Sequence, residues 1–303
     1  MVSEFDLIRK YFDRPARNAV LGVGDDAALL RPGAGMELAV STDLLLEGRH
    51  FSAGADARKL GHKALAVNLS DMAAMGATPR WATLALALPA ADERWLTAFS
   101  KGFFALAHRF GVELVGGDTT RGPLSFCVTI LGEVPKKKAL RRDGARPTDG
   151  IWVSGELGGA SYALARPGDA AAAKSLQMPE PRVALGLRLR GIATSAIDVS
   201  DGFAQDLDHI LERSGVGAVV DYEALPKYGI RDSKLEKRCV LSGGDDYELV
   251  FTAPAGAGID AIASALKLRL TRVGSIGRRR GLRILDAKGK QMTIARGFDH
   301  FAR

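Results

Sequence analysis

Apolar residues recur at helical spacing over residues 4–12, where Phe5, Ile8 and Phe12 share one face, and predict a short amphipathic helix. Residues 36–45, MELAVSTDLL, read as a strand ending in polar positions. A helix over 56–77 follows, with Leu60, Ala64, Val67 and Ala74 near one face. Then come a strand at 81–88, a long helix at 91–110 and strands at 112–118 and 124–134. Residues 141–150, RRDGARPTDG, concentrate Gly, Pro and charge and mark a break. Beyond it the pattern predicts a strand at 151–155, a helix at 181–190, a strand running into a loop at 194–202 and a helix at 203–215. A strand at 247–253, a helix at 258–267 and short strands near 271–276 and 282–286 complete it. This is the pattern of a mixed α/β protein with two domains of similar size, 1–148 and 149–303. The stretch DAAAAKS, 169–175, reads as its most mobile segment.

One arrangement recurs in both halves. An apolar strand-like run ends in acids beside Gly, Ser or Thr: LGVGDDAAL, AVSTDLLLEG, LVGGDTTRG, AIDVSDG and LSGGDDYEL. NLSDMAAMG adds Asn68 and Asp71, three residues apart on one helix face. Asp beside Gly is ordinary turn chemistry and Ser-Asp ordinary capping, so no single loop indicates a site. Six acids so placed, Asp26, Asp43, Asp71, Asp118, Asp198 and Asp201, are a different matter. If they converge, each like-charge pair at ~4 Å costs about 4 kcal/mol at an effective dielectric of ~20. Lys and Arg are mostly absent from these loops, although Arg49 and Arg121 follow two of them. Hard divalent cations are the simpler remedy, because carboxylate and hydroxyl oxygens select Mg²⁺ or Mn²⁺. Mg²⁺ takes one or two carboxylates and completes its shell with water and substrate phosphates. Several aspartates therefore imply several ions gripping a polyphosphate, with the glycine N–H groups of GGDTTRG approaching the phosphate directly.

Composition narrows the picture. The chain has 303 residues, 47% hydrophobic and 25% charged, enough for a substantial core, and a net charge of +7. Its basic runs, at 136–138, 141–142 and 278–280, are short and lack the interleaved aromatics of a nucleic-acid groove. Cys127 and Cys239 are distant and no CxxC occurs, which argues against a zinc site or disulfide framework. No run of ~20 apolar residues could span a bilayer. The first residues carry charge through their apolar positions, unlike a secretion signal, so the expected compartment is the cytoplasm. GVGDDA, 22–27, matches G-x-G-x-x-A. Its Asp25-Asp26 pair would nonetheless face a pyrophosphate, and the following ALLRPGAG is too short for the helix that fingerprint needs. No G-x-x-x-x-G-K-[ST] occurs.

GDDAA, STD…EGRHF, NLSDMAAMGATP, GGDTTRG, AIDVSDG and SGGDDYEL, in that order, with GFDHF near the end, closely resemble the thiamine-monophosphate kinases over residues 3–301. The resemblance implies the two-domain α/β fold of the aminoimidazole ribonucleotide synthetase-like superfamily and a homodimer joined through N-terminal sheets. It implies ATP-dependent phosphorylation of thiamine monophosphate to thiamine diphosphate with several Mg²⁺ ions. Asp26, Ser41, Thr42, Asp43, Asp71 and Asp118 match that family's N-terminal metal ligands, and Asp198 and Asp201 those of its second domain. Gly117, Asp118, Arg142 and Ser200 match positions on ATP; His50, Asp245 and Phe298 match positions around the thiamine substrate. Asp245 stands where many relatives carry Glu, and Phe298 where Tyr or Trp is frequent. No catalytic base is implied, since the nucleophile is itself a phosphate oxygen. Selenophosphate synthetases need a reactive residue near the N-terminus, whereas the first cysteine here is Cys127; hydrogenase-maturation relatives end in cysteine, whereas this chain ends HFAR. Aminoimidazole ribonucleotide synthetase is the closest enzymatic rival, and a non-catalytic metal- or nucleotide-binding regulator is the rival from another class.

Overall fold

The computed structural model describes Ser3–Ile294 and Gly297. These residues fall into two compact units, one built from the chain up to Met72 and Ala77–Lys137, the other from Ala73–Gly76 and the chain from Lys138 onward.

The first unit begins with α1 (Glu4–Leu7), continued by a π-helical turn over Ile8–Phe12. Ser3 and Asp6 close a capping box at its start. The predicted helix is thus present but changes pitch midway. β1 (Met36–Leu46), α2 (Ala57–Ala74), β2 (Thr78–Leu88), α3 (Glu93–Phe110), β3 (Glu113–Arg121) and β4 (Ser125–Pro135) follow. The sheet order is β1-β4-β2-β3, with β2 and β3 parallel and the other pairs antiparallel. Asp92 caps α3 by accepting from the N–H groups of Arg94 and Trp95, and Gly111 ends it in the left-handed region. Trp81, Phe99, Phe103 and Phe126 form the centre of this unit's core. α2 and α3 approach backbone to backbone. A Cβ on Gly61 would stand 2.0 Å from the Phe99 carbonyl oxygen, and one on Gly102 would stand 1.9 Å from that of Arg58.

The second unit contains β5 (Gly150–Ser154), α4 (Gly159–Ala165), α5 (Ala170–Gln177), α6 (Val183–Leu189), β6 (Ser195–Asp198) and α7 (Phe203–Ser214). Then come β7 (Gly217–Asp221), α8 (Ser233–Ser242), β8 (Leu249–Ala253), α9 (Ile259–Leu266), β9 (Leu270–Gly277) and β10 (Gly281–Leu285). Its sheet order is β10-β7-β9-β5-β8-β6, mixed, with only β10 and β7 parallel. Ile151, Val153, Ile197, Phe203, Leu207 and Val250 anchor its core. Residues 169–175, expected to be mobile, belong largely to α5. Asp169 supplies the cap that Ala-rich chain needs, accepting from Ala171 and Ala172 N–H at 3.0 Å each. β7, α4 and α8 went unpredicted. They are short, and in α8 four charged residues interrupt the apolar stripe.

The glycine contact between α2 and α3 predicts that Gly102→Ala destabilises the fold by about 1–3 kcal/mol, because the backbones must separate to admit a methyl group. Urea unfolding measures this; an unchanged midpoint would contradict the packing described.

Candidate functional site

In the first unit, the loop Val23–Ala28 and the strand segment Leu114–Thr119 line one cavity of about 610 Å³. Asp26, Gly117 and Asp118 all lie on it, together with Phe5, Ile8 and Phe12 from the N-terminal segment. The cavity therefore has a polar, acidic wall and an apolar one. Asp25 spends its carboxylate locally by accepting from Asp26 N–H at 2.9 Å.

A β-bulge decides where Asp118 sits. β3 pairs Leu114 with Ala82 and Gly116 with Thr83, so Val115 is an extra residue. The insertion reverses the alternation of side chains. Leu114 and Val115 are both buried, and Asp118 emerges on the open face beside Ala85. Gly117 is required next to it, since its φ is 150° and a Cβ there would stand 1.9 Å from the Leu84 carbonyl oxygen.

β1 divides its candidates between faces. Ser41 and Asp43 are half-buried, and the Ser41 hydroxyl donates to Asp71 Oδ2 on α2 at 2.6 Å. Thr42 is exposed and shares a hydrogen bond of 2.8 Å with Thr129 on β4. The register thus brings Ser41, Asp43 and Asp71 to the helix-covered face, and Thr42 and Asp118 to the open one. Burial, assisted by the Asp43 carboxylate, raises the Cys127 thiol pKa above its ordinary value. His50, in the turn after β1, accepts from Leu46 N–H at Nδ1 (3.0 Å), which puts the proton of a neutral ring on Nε2.

The second unit gathers a separate set. Asp198 ends β6 and is buried; Ser200 and Asp201 follow it in the loop to α7. Asp245 N–H donates to the Ser200 carbonyl oxygen at 2.9 Å, so SGGDDYEL lies directly against DVSDG. Asp245 and Tyr247 both hold positive φ, 67° and 51°, and the Tyr247 hydroxyl donates to Asp245 Oδ1 at 2.9 Å. Non-glycine residues in that region concentrate where a site imposes its geometry. The Arg142 carbonyl oxygen accepts from the Ser214 hydroxyl at 2.8 Å, fixing the backbone from which its guanidinium projects. Phe298 lies outside the described residues.

Asp206 and Asp246 are not singled out by the sequence, which reads Glu248, with Tyr247, as a structural residue at the start of a strand. Asp206, in the first turn of α7, accepts from the N–H groups of Ser200, Asp201 and Gly202. Burial, then the Asp198 and Asp201 charges, push its carboxyl up to about 7. Asp246 accepts from Gly158 N–H at 2.8 Å, and burial raises its pKa well above the carboxylate range. Glu248 accepts from Ser154 Oγ at 2.5 Å and from Arg182 Nε at 2.6 Å, with a second contact from the Arg182 fork. No residue-type signal marks Asp206, because its partners are main-chain amides.

Among the described residues, no three Asp, Glu, His or Cys side chains close on one point as a self-sufficient metal site. The donors are nevertheless hard oxygens, set as pairs and single carboxylates. This suits Mg²⁺, which draws the rest of its shell from water and phosphate.

Two family models match, "AIR synthase related protein, N-terminal domain" over residues 24–134 and the C-terminal domain of the same family over 146–286. The thiamine-monophosphate kinase of Salmonella typhimurium strain LT2 is 44% identical, covering 99% of this chain and 98% of its own. The crystal structure of thiamine-monophosphate kinase from Stenotrophomonas maltophilia K279a superposes with a TM-score of 0.85 at 47% identity, covering 91% of this chain and 93% of that one. A structure described as AaThiL complexed with AMPPCP and TMP has a TM-score of 0.77 at 29% identity, covering 98% and 96%.

Replacing Arg182 with Met should cost about 3–5 kcal/mol, because Glu248, near the end of the SGGDDYEL segment, is left buried without its cation. Chemical denaturation reads this directly, and a loss under about 1 kcal/mol would show that the pair contributes little to the loop's support.

Proposed function

The chain belongs to the thiamine-monophosphate kinase family, and from that premise we infer how its own residues serve the transfer of a phosphoryl group from ATP to thiamine monophosphate. Asp26, Gly117 and Asp118 on one cavity are the observation that carries this reading. The Gly117 amide, with no side chain in the way, approaches an ATP phosphate, and the Arg142 guanidinium and Ser200 hydroxyl engage the nucleotide. His50, Asp245 and Phe298 hold the thiamine substrate. Residues 1–148 supply the metal- and ATP-binding domain and residues 149–303 complete the site.

Mg²⁺ would be held by Asp26, Ser41, Thr42, Asp43, Asp71, Asp118, Asp198 and Asp201, shared among several ions. When bound it offsets the charge that donor and acceptor phosphates bring together. The acceptor needs no protein base: a phosphate monoester has its second pKa near ~6 and is mostly dianionic at neutral pH. The protein's task is orientation in line and exclusion of competing acceptors. No side chain on the cavity is an activated nucleophile, so transfer is direct.

β1 supports a homodimer. Leu38, Val40, Leu44 and Leu46 are exposed along one side of the strand, Val40 by 59%. An apolar strip of that kind is best covered by a second copy of the same sheet. No helix among the described residues is long and apolar enough to cross a membrane, and we place the enzyme in the cytoplasm.

Incubation with ATP, Mg²⁺ and thiamine monophosphate should release ADP and thiamine diphosphate in equal amounts, with little ADP when the acceptor is omitted. Asp118→Asn or Asp71→Asn should lower turnover at least about 100-fold while leaving the circular dichroism spectrum intact. Near-normal Mg²⁺-dependent turnover in either variant would remove the metal assignment. Val40→Glu combined with Leu44→Glu should convert a dimer to a monomer in sedimentation; an unchanged sedimentation coefficient would move the interface elsewhere.

A further inference from the structure

The loop from β6 to α7 carries Ser200 and Asp201, yet neither residue's own side chain sets the loop's shape. Three consecutive N–H groups, of Ser200, Asp201 and Gly202, converge on a single oxygen, Asp206 Oδ2, at 3.1, 3.1 and 3.0 Å. Successive amides pointing at one spot form an anion-binding concavity. Here the chain's own carboxylate fills it, so the loop cannot offer those amides to a phosphate and presents its side chains instead.

The other side of the loop is equally fixed. Asp245 N–H donates to the Ser200 carbonyl oxygen at 2.9 Å and Tyr247 N–H to that of Val199 at 2.8 Å. Gly202 has a φ of 128°, and a Cβ there would stand 2.9 Å from the Ser242 carbonyl carbon. Asp206 is only 2% exposed and helical, so its carboxylate has little freedom to leave. An ordinary N-cap side chain satisfies one or two amides; this one organises the entire turn.

We propose that Asp206 is the positioning residue of this active site, holding Ser200 toward ATP and Asp201 toward a divalent cation without touching either ligand. The assignment rests on the kinase reading above.

The test compares wild type, Asp206→Asn and, as a control on the same helix, Asp208→Asn. The asparagine keeps the size and can turn its carbonyl oxygen toward the three N–H groups, but it is an uncharged and weaker acceptor. Asp206→Asn should lower kcat about 100-fold and raise KM for ATP, with KM for thiamine monophosphate changed less than about threefold. In the absence of ligands, amide hydrogen exchange at residues 200–202 should accelerate about tenfold in the variant, with β8 unchanged. Asp208→Asn should match wild type in both. A folded Asp206→Asn variant with wild-type kcat, or with unaltered exchange at those amides, overturns the proposal. Should the variant not fold, wild-type exchange decides alone: protection of the three amides comparable to β8 is expected, and open-loop exchange rates overturn it. A wild-type protein that turns over no thiamine monophosphate counts against the kinase reading; an active wild type with an equally active Asp206→Asn counts against Asp206 only.

Discussion

Carboxylates cannot be crowded at the ends of strands unless something satisfies them, and in this protein backbone N–H groups do most of it. Asp206 takes three amides and Asp246 takes Gly158 and Ala160, while Glu133 takes Gly33 together with the Arg80 guanidinium. An amide satisfies a carboxylate's lone pairs without cancelling its charge. The acids therefore divide into two populations, those committed to holding loops and those at the loop tips that we propose serve ligands.

The same division explains the backbone. Beside the acids that we propose face phosphate, the chain gives up side chains: Gly117 against Leu84, Gly202 against Ser242 and Gly244 against Ser200. Where it must hold an acid in an unusual direction, it accepts positive φ at Asp245 and Tyr247, ties their N–H groups to the Ser200 and Val199 carbonyl oxygens, and anchors the following Glu248 to Arg182. Rigidity of this kind suits a reaction whose main demand is the alignment of two like-charged groups.

Much of this was legible in the sequence. Long elements, β1, α2, α3 and α7, emerged within a few residues of their bounds because their apolar runs are long, with α3 bounded by the Asp92 cap and Gly111 and α7 ended by Gly215. The acid-tipped loops were legible because Asp, Gly and Ser at strand ends are both turn formers and ligands. What escaped was anything set by tertiary registration. The extra residue at Val115 moves Asp118 to the open face, away from Asp43 and Asp71, and a Gly-Gly pair is its only trace in the sequence. Asp206 was hidden for a related reason: its partners are main-chain amides, which leave no residue-type signature. α8 was obscured by charge, and α5 was masked by an alanine run that reads as loop until Asp169 is seen to cap it.

The central claim is that the loop-tip aspartates are places for hard cations serving phosphoryl transfer. Crystals grown with Mn²⁺, a non-hydrolysable ATP analogue and thiamine monophosphate test it most directly through the anomalous signal of the metal. Peaks within coordination distance of Asp26, Asp118 or Asp201 oxygens and of nucleotide phosphate are predicted. Nucleotide bound with no peak at any of those carboxylates would contradict the account.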